Sequence, residues 1–242
     1  NADVVGLIEI ANNGTNNPSA IQNLVDGLNA VMGAGTYAFI NDGASTQTNN
    51  TDQIRCAIIY KPSVVTPVGA AMLGNNAIFD RPPLAQTFNL IATNKIFNFV
   101  VNHFKSKGGT GTGADADQGD GQAAFNDRRK QQAIALLAFI NGTVIPTSGT
   151  NRVISVGDYN AYYEEDPMDI LRANGYTVAS SASSYSYLFE GQLGSLDHAV
   201  VSPSLAGTIT GIAKWNTNSV EPAYLDYNDA ISTNGSDPVN PW

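Results

Sequence analysis

A chain of 242 residues, 43% hydrophobic and 14% charged, is long enough to bury one large core and too short to need two domains, so one domain over residues 1–242 is expected. Its apolar runs are short, and none approaches the roughly 18 unbroken apolar residues of a membrane span, which makes the chain soluble on this reading. A net charge of −9 excludes a protein that coats nucleic acid by electrostatics alone but not a nuclease, because divalent cations can bridge carboxylates to phosphates.

In chain order, Asn1 opens the sequence without an initiator Met or a charged leader, so any signal peptide is expected to be gone or to lie upstream. Residues 4–10 predict a strand, broken by Asn12-Asn13-Gly14, and Asn17-Pro18-Ser19 opens a helix that runs to about Ala30. Strands follow at 37–40 and 54–60; the second holds Cys56, the only cysteine, whose apolar neighbours predict a buried thiol and whose solitude rules out an internal disulfide. Further strands are expected at 87–91, 97–102, 153–157, 186–189 and 199–202, and helices at 128–139 and 168–174. Residues 108–121, GGTGTGADADQGDG, predict a flexible loop. Its Asp115, Asp117 and Asp120 fit no standard calcium spacing, so a solvated loop is favoured over a calcium site. From about Asn216 the chain is rich in Asn, Pro and Asp and reads as an irregular surface segment. Strands in succession with helices at intervals predict an α+β fold in which sheet packs on sheet with helices outside.

Four places carry chemistry. Glu9 is a carboxylate at the end of an apolar strand, where a charge is expensive unless it sits at a mouth or binds a cation. At 102–107, Asn-His-Phe-Lys-Ser-Lys, a strand ends in His103, placed to donate to a phosphate oxygen, although a satisfied structural histidine is the commoner outcome for such a residue. Gly157-Asp158-Tyr159-Asn160 follows a strand directly; in extended chain Asp158 and Asn160 point the same way, one able to accept a proton and the other to donate a hydrogen bond. Asp197 begins a buried-looking strand.

In order and spacing these segments resemble the endonuclease/exonuclease/phosphatase (DNase I-like) family. ADVVGLIEI (2–10) is similar to its strand ending in the metal-binding glutamate. NHFKSKGG (102–109), GDYNAYYEEDP (157–167), YSYLFEGQLGSLDHAVVS (185–202) and VEPAYLDYN (220–228) resemble its bacterial extracellular nuclease branch. The resemblance implies a four-layered α/β/β/α sandwich and metal-dependent hydrolysis of phosphodiester bonds in DNA, with RNA as a second candidate. It implies a divalent metal, Mg before Mn or Ca, held by Glu9, and a secreted or cell-surface protein. It makes His103, Asp158, Asn160 and Asp197 catalytic, with Asp197 orienting the histidine, and it gives Arg81 and Lys105 to phosphate or nucleic acid; Lys107 and Arg128 are weaker candidates, and His198 is structural.

Two elements of the family pattern are missing: an asparagine on a strand before residue 1, and a terminal Ser-Asp-His, since Ser236-Asp237 is followed by Pro238. Ala11 stands where this branch carries a second acid. The resemblance therefore implies a domain without its first and last strands, one that cleaves DNA poorly by itself and can self-associate through exposed sheet edges. The rival readings are a sphingomyelinase-like phosphodiesterase and an inactive surface or structural module of the same fold.

Overall fold

The computed structural model describes residues 2–43, 52–181, 183–189 and 191–215. The tail from residue 216, with the 220–228 segment and Ser236-Asp237, lies outside them. The strands are β1 (Val4–Ala11), β2 (Ala38–Phe39), β3 (Ile54–Tyr60), β4 (Val65–Leu73), β5 (Leu84–Leu90), β6 (Lys95–His103), β7 (Val153–Asp158), β8 (Thr177–Val178), β9 (Tyr187–Phe189), β10 (Gln192–Gly194) and β11 (Asp197–Val201). The helices are α1 (Ala20–Met32), α2 (Asn126–Phe139), α3 (Ile145–Ser148), α4 (Asp166–Ala173) and α5 (Pro203–Ala206), with a π-helical segment at Ile140–Val144 joining α2 to α3. A three-stranded antiparallel sheet has the order β1-β3-β2, and a six-stranded one the order β4-β5-β6-β7-β11-β8, in which β6 and β7 are parallel. β9 and β10 form a separate hairpin.

The layering follows from alternation along β3. Cys56 and Ile58 point into one core, with Leu84, Phe88, Phe99 and Val101 of the large sheet, while Ala57 and Ile59 point into another, with Ile21 and Val25 of α1. Burial pushes the Cys56 thiol up to about 12, so it stays protonated and inert. A third core joins the far face of the large sheet (Ala85, Val100, Val153, Val200) to Leu136 of α2 and Met168 and Leu171 of α4. Three cores between four layers give α1, small sheet, large sheet, then α2 with α4. The helix start at Ser19 follows its capping chemistry: Ser19 Oγ accepts from the Gln22 amide at 3.3 Å.

The sequence gives no sign of β4. It lies at the edge of the large sheet, mostly exposed, and carries Pro67 and a register shift between Val68 and Met72, so neither apolar alternation nor β propensity marks it. β8 and β10, of two and three residues, are too short for any periodicity to register.

At one point the two sheets come unusually close. A Cβ on Gly6 would lie 2.7 Å from Val156 Cγ2 and 2.8 Å from Val101 Cγ2, so glycine is what lets β1 cross β6 and β7 at this depth. The same crossing carries the end of β1 towards the ends of those strands.

Candidate active site

β6 and β7 run parallel and end together, with His103 in register with Asp158; antiparallel β11 begins opposite them, with Asp197 in register with Asp158. One row of three polar residues therefore crosses three neighbouring strands at their common end. Gly157 makes the row possible, because its φ is +145° and a Cβ would sit 1.9 Å from the Asn102 carbonyl oxygen. Beneath the row, Tyr159 Oη donates to Ser155 Oγ and Ser155 Oγ to Asn102 Oδ1, each at 2.9 Å, a buried chain that fixes the strand ends.

Asp158 is held by the residue that closes its turn. Its Oδ1 accepts from the Asn160 amide at 2.7 Å and its Oδ2 from Asn160 Nδ2 at 3.1 Å. Asn160 has φ +47°, a left-handed conformation that asparagine tolerates, and its Nδ2 also donates to the Phe104 carbonyl at 3.0 Å. His103 Nε2 stands 3.5 Å from Asp158 Oδ2, and its buried Nδ1 has no partner among the described residues. Burial, then the nearby charges of Asp197 and Glu9, push Asp158 up to about 7, against the pull of the Asn160 amide and Arg81. Burial and Arg81 hold His103 down at about 4, with Asp52 opposing. At neutral pH the site thus presents a neutral imidazole beside a carboxyl near its midpoint.

Glu9 sits where β1 bulges. The register with β3 slips between Leu7 and Ile10, and Glu9 takes φ +59°. It is exposed, and it is near enough to Asp158 for its charge to be felt there. Opposite Ile10, Arg55 is buried with Asp42 at 2.5 Å and donates to the Gly14 carbonyl, which ties the chain around the bulge.

Most of the cations singled out from sequence are engaged by the protein. Arg81 donates to the carbonyls of His103 and Phe104 at 3.5 and 2.6 Å and pairs with Asp52 at 3.1 Å, so it braces the backbone that follows the histidine. Lys107 pairs with both oxygens of Glu165 at 2.5 and 2.7 Å and lies over the Tyr162 ring. Arg128 pairs with Asp80 at 2.8 Å. Lys105 places its ammonium 4.6 Å from the Phe125 ring centroid, with no carboxylate partner among the described residues. His198, next to Asp197, is turned into the protein: Nε2 donates to the Ala161 carbonyl at 2.8 Å and Nδ1 accepts from Ser180 Oγ at 2.9 Å. The 108–121 stretch is tied at Asp115, whose side chain accepts from the Arg128 amide and whose carbonyl accepts from Phe125.

Several residues around the mouth escaped the sequence reading: Asp52, the Asp42–Arg55 pair, Glu165 and buried Arg129, which donates to the carbonyls of Gln122 and Ala124. Arg55 alone left a trace, as a charge inside an apolar strand that must find a partner.

No group of three or more His, Cys, Asp or Glu side chains forms a metal cage among the described residues. The mouth instead offers two exposed carboxylates, Glu9 and Asp197, and a surplus of negative charge around Asp158. Hard oxygen donors and so few of them suit Mg²⁺, Mn²⁺ or Ca²⁺ held largely by water and a substrate phosphate, and do not suit structural zinc.

No protein-family model matches the chain, and no curated protein matches it by sequence. Solved structures do match. The human Nocturnin catalytic domain with bound sulfate aligns with a TM-score of 0.53 at 18% identity, over 83% of this chain and 69% of that one. An endonuclease/exonuclease/phosphatase family protein from Bacteroides thetaiotaomicron aligns at 0.52 and 16%, over 84% and 69%. D. rerio TDP2 complexed with single strand DNA product aligns at 0.52 and 15%, over 83% and 70%. At such identities the likeness establishes the fold, an α+β sandwich of the DNase I-like type.

Proposed function

We propose that the chain is a divalent-metal-dependent phosphodiesterase that hydrolyses nucleic acid, DNA before RNA, at the mouth formed by Glu9, His103, Asp158 and Asp197. One observation carries the reading: an apolar fold places a neutral histidine and a carboxyl near its midpoint in one row at the strand ends. Groups whose environments pull their pKa values apart are suited to acid–base work at neutral pH. D. rerio TDP2, similar in fold, is known with a single strand DNA product, which supports nucleic acid as the substrate class.

On this reading ionised Asp158 accepts a proton from the attacking water, and neutral His103 donates a hydrogen bond to a non-bridging phosphate oxygen. Water adds to phosphorus, one ester oxygen leaves and takes a proton from solvent, and a phosphate monoester and a hydroxyl result. Asn160 holds the Asp158 carboxylate in place and reaches a phosphate by releasing the Phe104 carbonyl. Asp197 keeps the Asp158 pKa high through its charge. Arg81 positions His103 from behind, and Lys105 is the cation left to meet a phosphate. A divalent ion bound at Glu9 would supply charge neutralisation at the phosphate.

The motifs at 102–109, 157–167 and 185–202 support placement in the secreted bacterial nuclease branch, which would put the protein outside the cell or on its surface. Among the described residues β1 is an end strand of the small sheet, which supports self-association, and light scattering measures it. Plasmid degradation tests the main reading. With Mg²⁺ the protein nicks plasmid slowly, a chelator stops it, and His103→Ala lowers the rate by about 100-fold or more while the fold is kept. A well-folded His103→Ala variant that turns over normally, or activity indifferent to the chelator, contradicts it and leaves the inactive-module or another hydrolytic reading.

A further inference from the structure

Next to the mouth stands a feature that the hydrolytic steps do not use. In the β9–β10 hairpin, Tyr187 and Phe189 lie two residues apart on one strand, so they share a face; their rings are nearly parallel, 12° between planes, with centroids 6.3 Å apart. Both are exposed, by 41% and 55%, as is Leu193 by 57% on the paired strand. Large exposed aromatics grouped in this way mark a binding surface.

The hairpin is fastened to the site. Ser186 Oγ accepts from the amides of Leu196 and Asp197, both at 3.3 Å, and the Leu196 carbonyl accepts from the Tyr159 amide at 2.9 Å. Gly194 lies flat on Tyr162, where a Cβ would meet the ring at 2.3 Å, and the Lys107 ammonium sits over that ring. Tyr162 follows Asn160 by two residues and lies within electrostatic reach of Tyr187. An aromatic track therefore leads from the catalytic turn through Tyr162 to Tyr187 and Phe189, beside a cavity of about 270 Å³ lined by Tyr163, Glu164, Gln192 and Leu193.

The chemistry of the track selects its ligand. The hairpin itself carries no Lys or Arg, and Lys107 over Tyr162 is paired with Glu165, so what the hairpin adds to the track is not positive charge for phosphates or anionic lipid headgroups. It offers π faces. Bases in a duplex have theirs covered by neighbours, whereas unpaired bases stack on aromatic side chains whatever their sequence. We propose that the β9–β10 hairpin is a base-stacking platform on which Tyr187 and Phe189 take unpaired nucleobases flanking the phosphate at His103 and Asp158, giving the enzyme a preference for single-stranded nucleic acid. This rests on the phosphodiesterase reading of the mouth.

The test reads binding rather than turnover. In the Asp158→Asn background with Mg²⁺, a labelled oligothymidylate of about 12 nucleotides is titrated and followed by fluorescence anisotropy. Tyr187→Ala with Phe189→Ala is expected to weaken binding at least fivefold, since each stacked base is worth about 1–3 kcal/mol, and Tyr187→Trp with Phe189→Tyr to retain it. An abasic oligonucleotide of the same length and the corresponding duplex are expected to bind the parent protein at least fivefold more weakly. Unchanged affinity in the double alanine variant, or equal affinity for the abasic strand, overturns the platform. So does sedimentation with phosphatidylcholine vesicles that disappears in the double alanine variant, which would assign the rings to a membrane. If base-dependent binding is found but the wild-type protein cleaves no nucleic acid, the platform stands and the catalytic reading falls.

Discussion

Asp158 and Asp197 face each other directly across two antiparallel strands, an arrangement of like charges that a sheet tolerates poorly. Here the repulsion has a use, because it helps keep the Asp158 carboxyl near neutrality instead of fully ionised. As a base Asp158 works ionised, so the rate falls as pH drops through its pKa. Removing the neighbouring charge with Asp197→Asn lowers that pKa, and the acidic limb of the pH–rate profile is expected to move to lower pH at fixed Mg²⁺. A limb that stays where it was, or moves up, would show that Asp197 does not act on Asp158 through charge.

At the scale of elements, the mouth depends on how β1 crosses the large sheet. Gly6 allows the crossing and the bulge at Glu9 ends it, with the Asp42–Arg55 pair behind. Gly6→Ala places a methyl against Val101 and Val156, two stiff β-branched side chains, so a loss of about 1–3 kcal/mol is expected. For a domain of this size that is a fall in Tm of about 2–4 °C per kcal/mol. Activity is expected to fall as well, since Glu9 is carried by the displaced strand, and Val156→Ala in the same chain should restore part of the stability. A Gly6→Ala protein as stable and active as the parent would show that the sheets have room to spare.

Across the whole molecule, the sequence revealed strand ends better than it revealed partners. The strands bearing Glu9, His103 and Asp158 were legible because each is an apolar run closed by a polar residue, and the fold class followed from such runs; that the one expected core divides into three between the layers did not. β4 was not, because an exposed edge strand with Pro67 leaves no pattern to detect. Nor was the state of the cations. Arg81 and Lys107 show in sequence only as charge, whereas their engagement depends on Asp52 and Glu165, 29 and 58 positions away. The hairpin rings were visible only as part of a strand; that they are exposed and parallel is a tertiary fact.

Asp158→Asn separates the chemical role of this carboxyl from a structural one, because it alters catalysis and stability in opposite senses. The folded-state pKa of Asp158 lies at about 7, above its ordinary 3.8, so its ionised form is disfavoured in the fold and costs stability increasingly as pH rises through that interval. Cleavage of a labelled oligonucleotide with Mg²⁺ and the Tm at pH 4 and pH 8 would be measured on both proteins. The variant is expected to lose about 100-fold or more in rate, to melt higher than the parent at pH 8 and to melt equally at pH 4. A variant that cleaves at the parent's rate would remove Asp158 from the chemistry and the mouth from its proposed role.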